Sequence, residues 1–158
     1  DGSTTGRFDG PYTEGAFAGF LVEQLASPPP WLVDVARDLS ASRTEQATFA
    51  MGCFWSGEAR LGGLDGVVST RTGFQGGTEV VRVDYDPART DLGTLSSRSG
   101  YRVVKGGSFR PSPDDDRYYL ARSRYASVPM TDGQAARVNA ALKNGRDPSP
   151  LLSPRQRP

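Results

Sequence analysis

The sequence predicts an α+β fold: a mixed sheet with helices packed on it, preceded by an N-terminal helical segment. Three observations predict it. Short apolar runs of strand length or strand alternation fall at 47–51, 67–72 and 79–85. Segments with helical spacing of apolar residues flank them at 14–26, 31–39, 53–61 and 131–142. Turn residues mark the boundaries, at Gly52, Asp65-Gly66, Gly76-Gly77 and Asp86-Pro87.

Taken in order, residues 1–13 are rich in Gly, Thr and Asp without an apolar period, which predicts a flexible arm. A domain over 14–145 follows. Its first segment, 14–44, holds two helices. Phe17, Phe20, Leu21 and Leu25 lie on one face of a helix from Glu14 to Ala26, which Pro28-Pro29-Pro30 ends. Leu32, Val35, Ala36 and Leu39 repeat the pattern from Trp31 to Leu39, and 41–44 is a linker. The two helices read as a layer packed on the core, the alternative being a platform for substrate or partner.

The core spans 45–145. A strand ends near Met51, and a helix runs from Cys53 to Leu61. The strand 67–72, a flexible loop at Gly76-Gly77 and the strand 79–85 follow, and then a short helix over 91–97. Beyond it, 101–104 reads as a strand, the Pro/Asp-rich stretch through Asp116 as a loop, and 118–128 as a strand. Thr131 with Gln134 three residues on has capping-box spacing for the helix 131–142, which Gly145 closes. Residues 146–158, rich in Pro, Ser and Arg, read as an extended tail.

Composition narrows function by exclusion. With 19 Lys and Arg against 18 Asp and Glu, no basic block dominates, so neither nucleic acid nor an anionic membrane is the expected partner. No apolar run approaches the roughly 20 residues of a membrane-spanning helix. No signal peptide is visible, but the chain begins at Asp1, so the expected setting is soluble, either cytoplasmic or exported after removal of a targeting segment. Histidine is absent, which removes the commonest metal ligand and the usual base of Ser and Cys hydrolases, and no metal is expected. Asp114-Asp115-Asp116 offers carboxylates for Ca²⁺ but lacks the other oxygen ligands at loop spacing, so a solvated loop is the preferred reading.

The one cysteine, Cys53, stands where the first core strand turns into a helix. A thiol there meets the free N–H groups and positive end of that helix, which favours thiolate, the nucleophilic form. The alternative is a small buried hydrophobe.

The run Ala47-Thr48-Phe49-Ala50-Met51-Gly52-Cys53-Phe54-Trp55 resembles the signature of the A-class peptide methionine sulfoxide reductases. So do Glu58-Ala59, Gly66-Val67-Val68-Ser69-Thr70, Gly73-Phe74-Gln75-Gly76-Gly77 and the strand from Glu79 to Pro87. These blocks occur in the family's order over about residues 46–95. The resemblance implies the A-class reductase fold and thiol-dependent reduction of methionine S-sulfoxide, free or in peptides, or of a related oxidised-sulfur substrate. Cys53 would attack the sulfoxide sulfur and become a sulfenic acid. Glu58, held neutral by desolvation, would donate the proton, against the alternative of an exposed first-turn acid. Phe54 and Trp55 would enclose the methyl group, against the alternative of plain core packing.

The pattern also departs from the family. Phe74 replaces a tyrosine at the substrate, and a polar loop between Gly77 and Glu79 is missing. The family's downstream Asp and Tyr have no direct counterparts, though Asp116, Tyr118, Tyr119 and Tyr125 are candidates. Tyr125 is the expected substrate-binding one, from a partial match of Arg122-Ser123 and Tyr125 to a Tyr-Arg-Ser strand. Ser56 stands where some members carry a second cysteine and is a candidate to cap the helix or hydrogen-bond the thiolate. With no resolving cysteine and no cofactor expected, the resemblance implies an external thiol reductant, such as thioredoxin or a low-molecular-weight thiol. The alternative reading is a catalytically degenerate binding or thiol-sensing module.

Overall fold

The computed structural model describes residues 6–158. A five-stranded sheet in the order β4-β1-β3-β2-β5 is its frame. The strands are β1 (Glu45–Ala50), β2 (Val67–Gln75), β3 (Thr78–Tyr85), β4 (Arg102–Val104) and β5 (Phe109–Pro111). The helices are α1 (Glu14–Gln24), α2 (Pro30–Leu39), α3 (Phe54–Gly62), α4 (Leu92–Ser99), α5 (Tyr118–Ala121) and α6 (Asp132–Lys143). The expected α+β class and N-terminal helical segment are present. The expected mixture of strand directions is not, because all four ladders are antiparallel. β1 and β2 run the same way, but α3 carries the chain past one position, and the β2–β3 hairpin returns to fill it.

β3 is the central strand, so Val80, Val81, Val83 and Tyr85 are all buried. Val81, Val83 and Tyr85 meet Phe49, Phe54, Leu61 and Leu95 in the main core. A second cluster joins Leu120, Tyr125, Ala135, Val138 and Leu152 around α6. Thr131 caps α6 with the expected capping box to Gln134, and Gly145 follows its end at φ 63°.

Four expectations are corrected. Gly76 and Gly77 are no flexible loop: with φ of 57° and 78° they form the tight turn of the β2–β3 hairpin, closed by the Gln75–Thr78 pair. The loop before Asp116 contains β5 on the sheet edge and a 3₁₀ turn over Pro113–Asp115. The strand expected over 118–128 is the short helix α5 followed by local turns, because Asn139 Oδ1 on α6 accepts the N–H groups of both Tyr119 and Leu120 at 3.0 Å. The expected extended tail is two 3₁₀ turns, Ser149–Leu151 and Pro154–Gln156, anchored by fully buried Leu152. Of the arm expected over 1–13, residues 1–5 lie outside the described residues. In the rest, Phe8 packs edge-on against Phe17 and Phe20 of α1.

The N-terminal helices reach the core through charge. Buried Asp38 of α2 receives Arg137 of α6 and Arg89, the latter at 3.4 Å. Arg89 also pairs with Asp65 at 2.6 Å, and Arg137 with Asp34 at 3.6 Å. The pairs form because each guanidinium is largely removed from water and needs a carboxylate there.

Candidate active site

The turn from β1 into α3 builds the site. Ala47 and Phe49 anchor β1 in the core, Gly52 leaves the sheet, and Cys53 is the extended N-cap residue of α3, with its thiol exposed. The buried-hydrophobe alternative for Cys53 is therefore excluded by position. Residues Phe54, Gly57, Glu58 and Leu61 turn to the interior, which aims the start of the helix, and the thiol, outward.

The first free N–H of α3 is answered by a carboxylate that sequence reasoning had read only as part of a strand. Phe54 N–H donates to Glu79 Oε2 at 2.7 Å, and Met51 N–H donates to the Glu79 carbonyl at 3.2 Å. A signal was available: Glu79 is the second residue of β3, just after the tight turn, and β3 pairs with β1 next to the thiol turn, through Ala50 and Val80. Reading the turn as a loose loop hid that closeness.

Aromatic rings form the adjoining wall. Phe54 is 5 % exposed and belongs to the core, as its packing alternative held, and its ring meets Phe74 at 5.4 Å and Trp55 at 6.1 Å. Trp55 is half-buried, stacked on Tyr118 at 4.2 Å, and its indole N–H donates to Asp115 Oδ1 at 2.9 Å. Tyr118 meets Tyr119 at 5.4 Å, and the Tyr119 hydroxyl lies 3.4 Å from Ser56 Oγ. Two exposed guanidiniums cover the outer rings, Arg110 over Phe74 at 5.0 Å and Arg122 over Tyr118 at 3.7 Å. The structure thus brings Phe54, Trp55 and Phe74 together and adds Tyr118 and Tyr119. Tyr125 is not among them. It is buried in the second cluster, because the segment expected to run as a strand beside the site turns inward after α5.

Glu58 is 1 % exposed rather than a surface acid. Its Oε1 accepts from the Thr70 hydroxyl at 2.9 Å and its Oε2 from the N–H of Arg117 at 2.5 Å. Burial pushes its carboxyl up to about 7, against the two hydrogen bonds, and the charge of Asp116 adds to the rise. Two carboxylates of the Asp114–Asp116 run are held by protein donors. Asp116 Oδ1 accepts from Thr72 N and Oγ1 at 2.6 and 2.8 Å, while Ser112 and Trp55 hold the Asp115 carboxyl below the usual carboxylate range. Among the described residues no group of three or more His, Cys, Asp or Glu could hold a metal ion, and no helix is long and apolar enough to cross a membrane. A cavity of about 520 Å³ lies towards the other end of α3, between Arg60, Ala140, Arg146 and Leu151, with no part of the thiol turn in its lining.

Comparison with known proteins matches the same stretch of the chain. The family model for peptide methionine sulfoxide reductase matches residues 45–80, the stretch from β1 through the thiol turn to the start of β3. A protein of Caulobacter vibrioides named peptide methionine sulfoxide reductase MsrA 2 is 35 % identical over 119 residues, covering 58 % of this chain and 61 % of its own length. One of Vibrio vulnificus named peptide methionine sulfoxide reductase MsrA is 39 % identical over 94 residues, covering 47 % and 44 %. Another of that name from Methanococcoides burtonii is 45 % identical over 53 residues, covering 34 % and 31 %. The chain therefore spans less than two thirds of each of these relatives. Over the strand, thiol turn and hairpin that build the site, it resembles the A-class peptide methionine sulfoxide reductases.

Proposed function

We propose that this chain is an oxidoreductase that reduces methionine S-sulfoxide, free or within a peptide, or a closely related oxidised sulfur. The observation that carries the reading is the exposed Cys53 thiol at the N-terminus of α3, one residue from the N–H that Glu79 accepts and beside a wall of aromatic rings. In the net step the Cys53 sulfur takes the sulfoxide oxygen: Cys–SH and R₂S=O give Cys–SOH and R₂S. The substrate sulfur gains two electrons, the cysteine sulfur loses two, and the thiol proton ends on the transferred oxygen. Trp55 supplies an apolar face for the methyl group.

Delivering a proton to the oxygen as the S–O bond weakens is the acid's task. In our reading it falls to Glu79, whose carboxylate accepts the N–H of Phe54, the residue after Cys53, and would take the thiol proton and pass it to that oxygen. Glu58, the donor expected from the sequence, has both oxygens engaged by Thr70 and Arg117 inside the fold. No resolving cysteine exists in the chain, so two equivalents of an external thiol, a small thiol or a thioredoxin-type protein, would return Cys–SOH to thiol with loss of water.

A second reading, a pocket that binds an oxidised or apolar sulfur group without turnover, is favoured by one observation. Phe74 offers no hydroxyl to the sulfoxide oxygen. Assaying methionine formed from methionine S-sulfoxide with dithiothreitol separates the two: the native chain turns over and Cys53→Ser does not under the first, and neither does under the second.

A further inference from the structure

We propose that Glu58 is a positioning residue: by accepting the N–H of Arg117 it fixes the turn that lays Tyr118 on Trp55. The inference rests on Trp55 being a wall of the substrate pocket. Its geometric basis does not depend on the reaction.

Arg117 is the only described residue other than glycine with positive φ, at φ 53° and ψ 47°. A side chain at that conformation crowds its own backbone, so it persists only where neighbours hold it. Three anchors hold this turn. Asp116, just before it, is tied to the N–H and hydroxyl of Thr72 on β2. Asn139 on α6 takes the N–H groups of Tyr119 and Leu120, just after it. Between them, the Arg117 N–H goes to Glu58 Oε2 at 2.5 Å, and the other oxygen of that carboxyl is fixed by Thr70.

The next residue along the chain is Tyr118, whose ring lies 4.2 Å from that of Trp55 at 25°. Glu58 and Trp55 sit on the same helix, three residues apart. One helix therefore carries both the pocket ring and the acceptor that sets the ring's partner in place. An alkyl side chain at 58 would leave the half-buried Arg117 N–H without this acceptor. The turn would then leave the left-handed region and take Tyr118 off the indole.

The test uses Trp31→Phe chain, so that Trp55 is the only indole, with Tyr118→Leu as the unstacked reference. Glu58→Gln retains an acceptor for the Arg117 N–H and is expected to keep the native Trp55 emission and the native KM for methionine S-sulfoxide. Glu58→Leu is expected to shift the emission to that of Tyr118→Leu and to raise KM several-fold. Hydrogen exchange on the unmutated chain gives a second measurement if Glu58→Leu does not fold: the Arg117 amide is expected to exchange far more slowly than an exposed amide. Native emission and KM in folded Glu58→Leu, or fast exchange at Arg117, would overturn the proposal. So would Glu58→Gln that keeps the native emission yet loses turnover, because Glu58 would then be a proton donor. A native chain that forms no methionine would sink the reductase reading alone, leaving the emission and exchange arms to decide this one.

Discussion

The backbone N–H of Phe54 donates to the carboxylate of Glu79 at 2.7 Å. Through this bond β3 places an acid at the start of the helix that Cys53 caps. An anion there complements the positive end of α3, so the contact has a structural role as well as the proposed chemical one. Glutamine can keep the hydrogen bond but neither the charge nor the proton transfer. Glu79→Gln is therefore expected to fold, losing at most about 1 kcal/mol with the charge, and to lose about 10²-fold in kcat with little change in KM. Steady-state kinetics with dithiothreitol as reductant check it; an unchanged kcat would remove Glu79 from the proton path.

Glu58 makes stability depend on pH in a predictable direction. Its folded-state value of about 7 lies above the ordinary 4.5. Through that window the unfolded chain gives up the proton while the fold retains it, so stability falls as pH rises from about 4.5 to 7. The difference corresponds to about 3 kcal/mol as an upper order of magnitude. Urea unfolding at several pH values is expected to show that decline, and Glu58→Gln to flatten it.

Asp38 joins the N-terminal helices to the core through Arg89 and Arg137. Asp38→Asn leaves those two largely buried guanidiniums with only Asp65 and Asp34 as carboxylate partners. We expect a loss of about 2 kcal/mol in urea unfolding. Because the pairs are shielded from water, 0.5 M salt, roughly a 4 Å screening length, should weaken the native chain only slightly.

Gly73 allows the edge strand β5 to approach β2. A Cβ at that position would meet the Arg110 carbonyl and lie 2.7 Å from the Phe109 ring. Gly73→Ala is expected to cost about 2 kcal/mol, as other overpacked contacts do. Amide exchange should show that the loss of protection is concentrated in β5 and its pairing with 73–75.

The parts legible in the sequence are those written in local chemistry. The β1–α3–β2–β3 run, the Thr131–Gln134 capping box and the exposed thiol at a helix start each follow from periodicity or from one turn. The α5 region was not legible. Tyr118 to Tyr125 alternates like a strand, yet Asn139, far along the chain, captures two of its N–H groups and bends it into a helix. The same non-local logic turned Tyr125, the preferred one of the candidate tyrosines, into the second core and left Tyr118 and Tyr119 at the site. Leu152 reads as part of a Pro-rich tail until the second core is seen to need it. Glu79 reads in the sequence as one residue of a strand, and only the closed turn at Gly76-Gly77 and the pairing of β3 with β1 bring its carboxylate to the Phe54 N–H.

The most direct test of the central claim is a single incubation of the native chain with methionine S-sulfoxide and no reductant, followed by mass spectrometry of the protein and assay of free methionine. The account predicts about one methionine per chain, with one oxygen atom added at Cys53 and trapped there by a sulfenate-specific reagent. A folded chain that yields no methionine and keeps an unmodified Cys53 would contradict it.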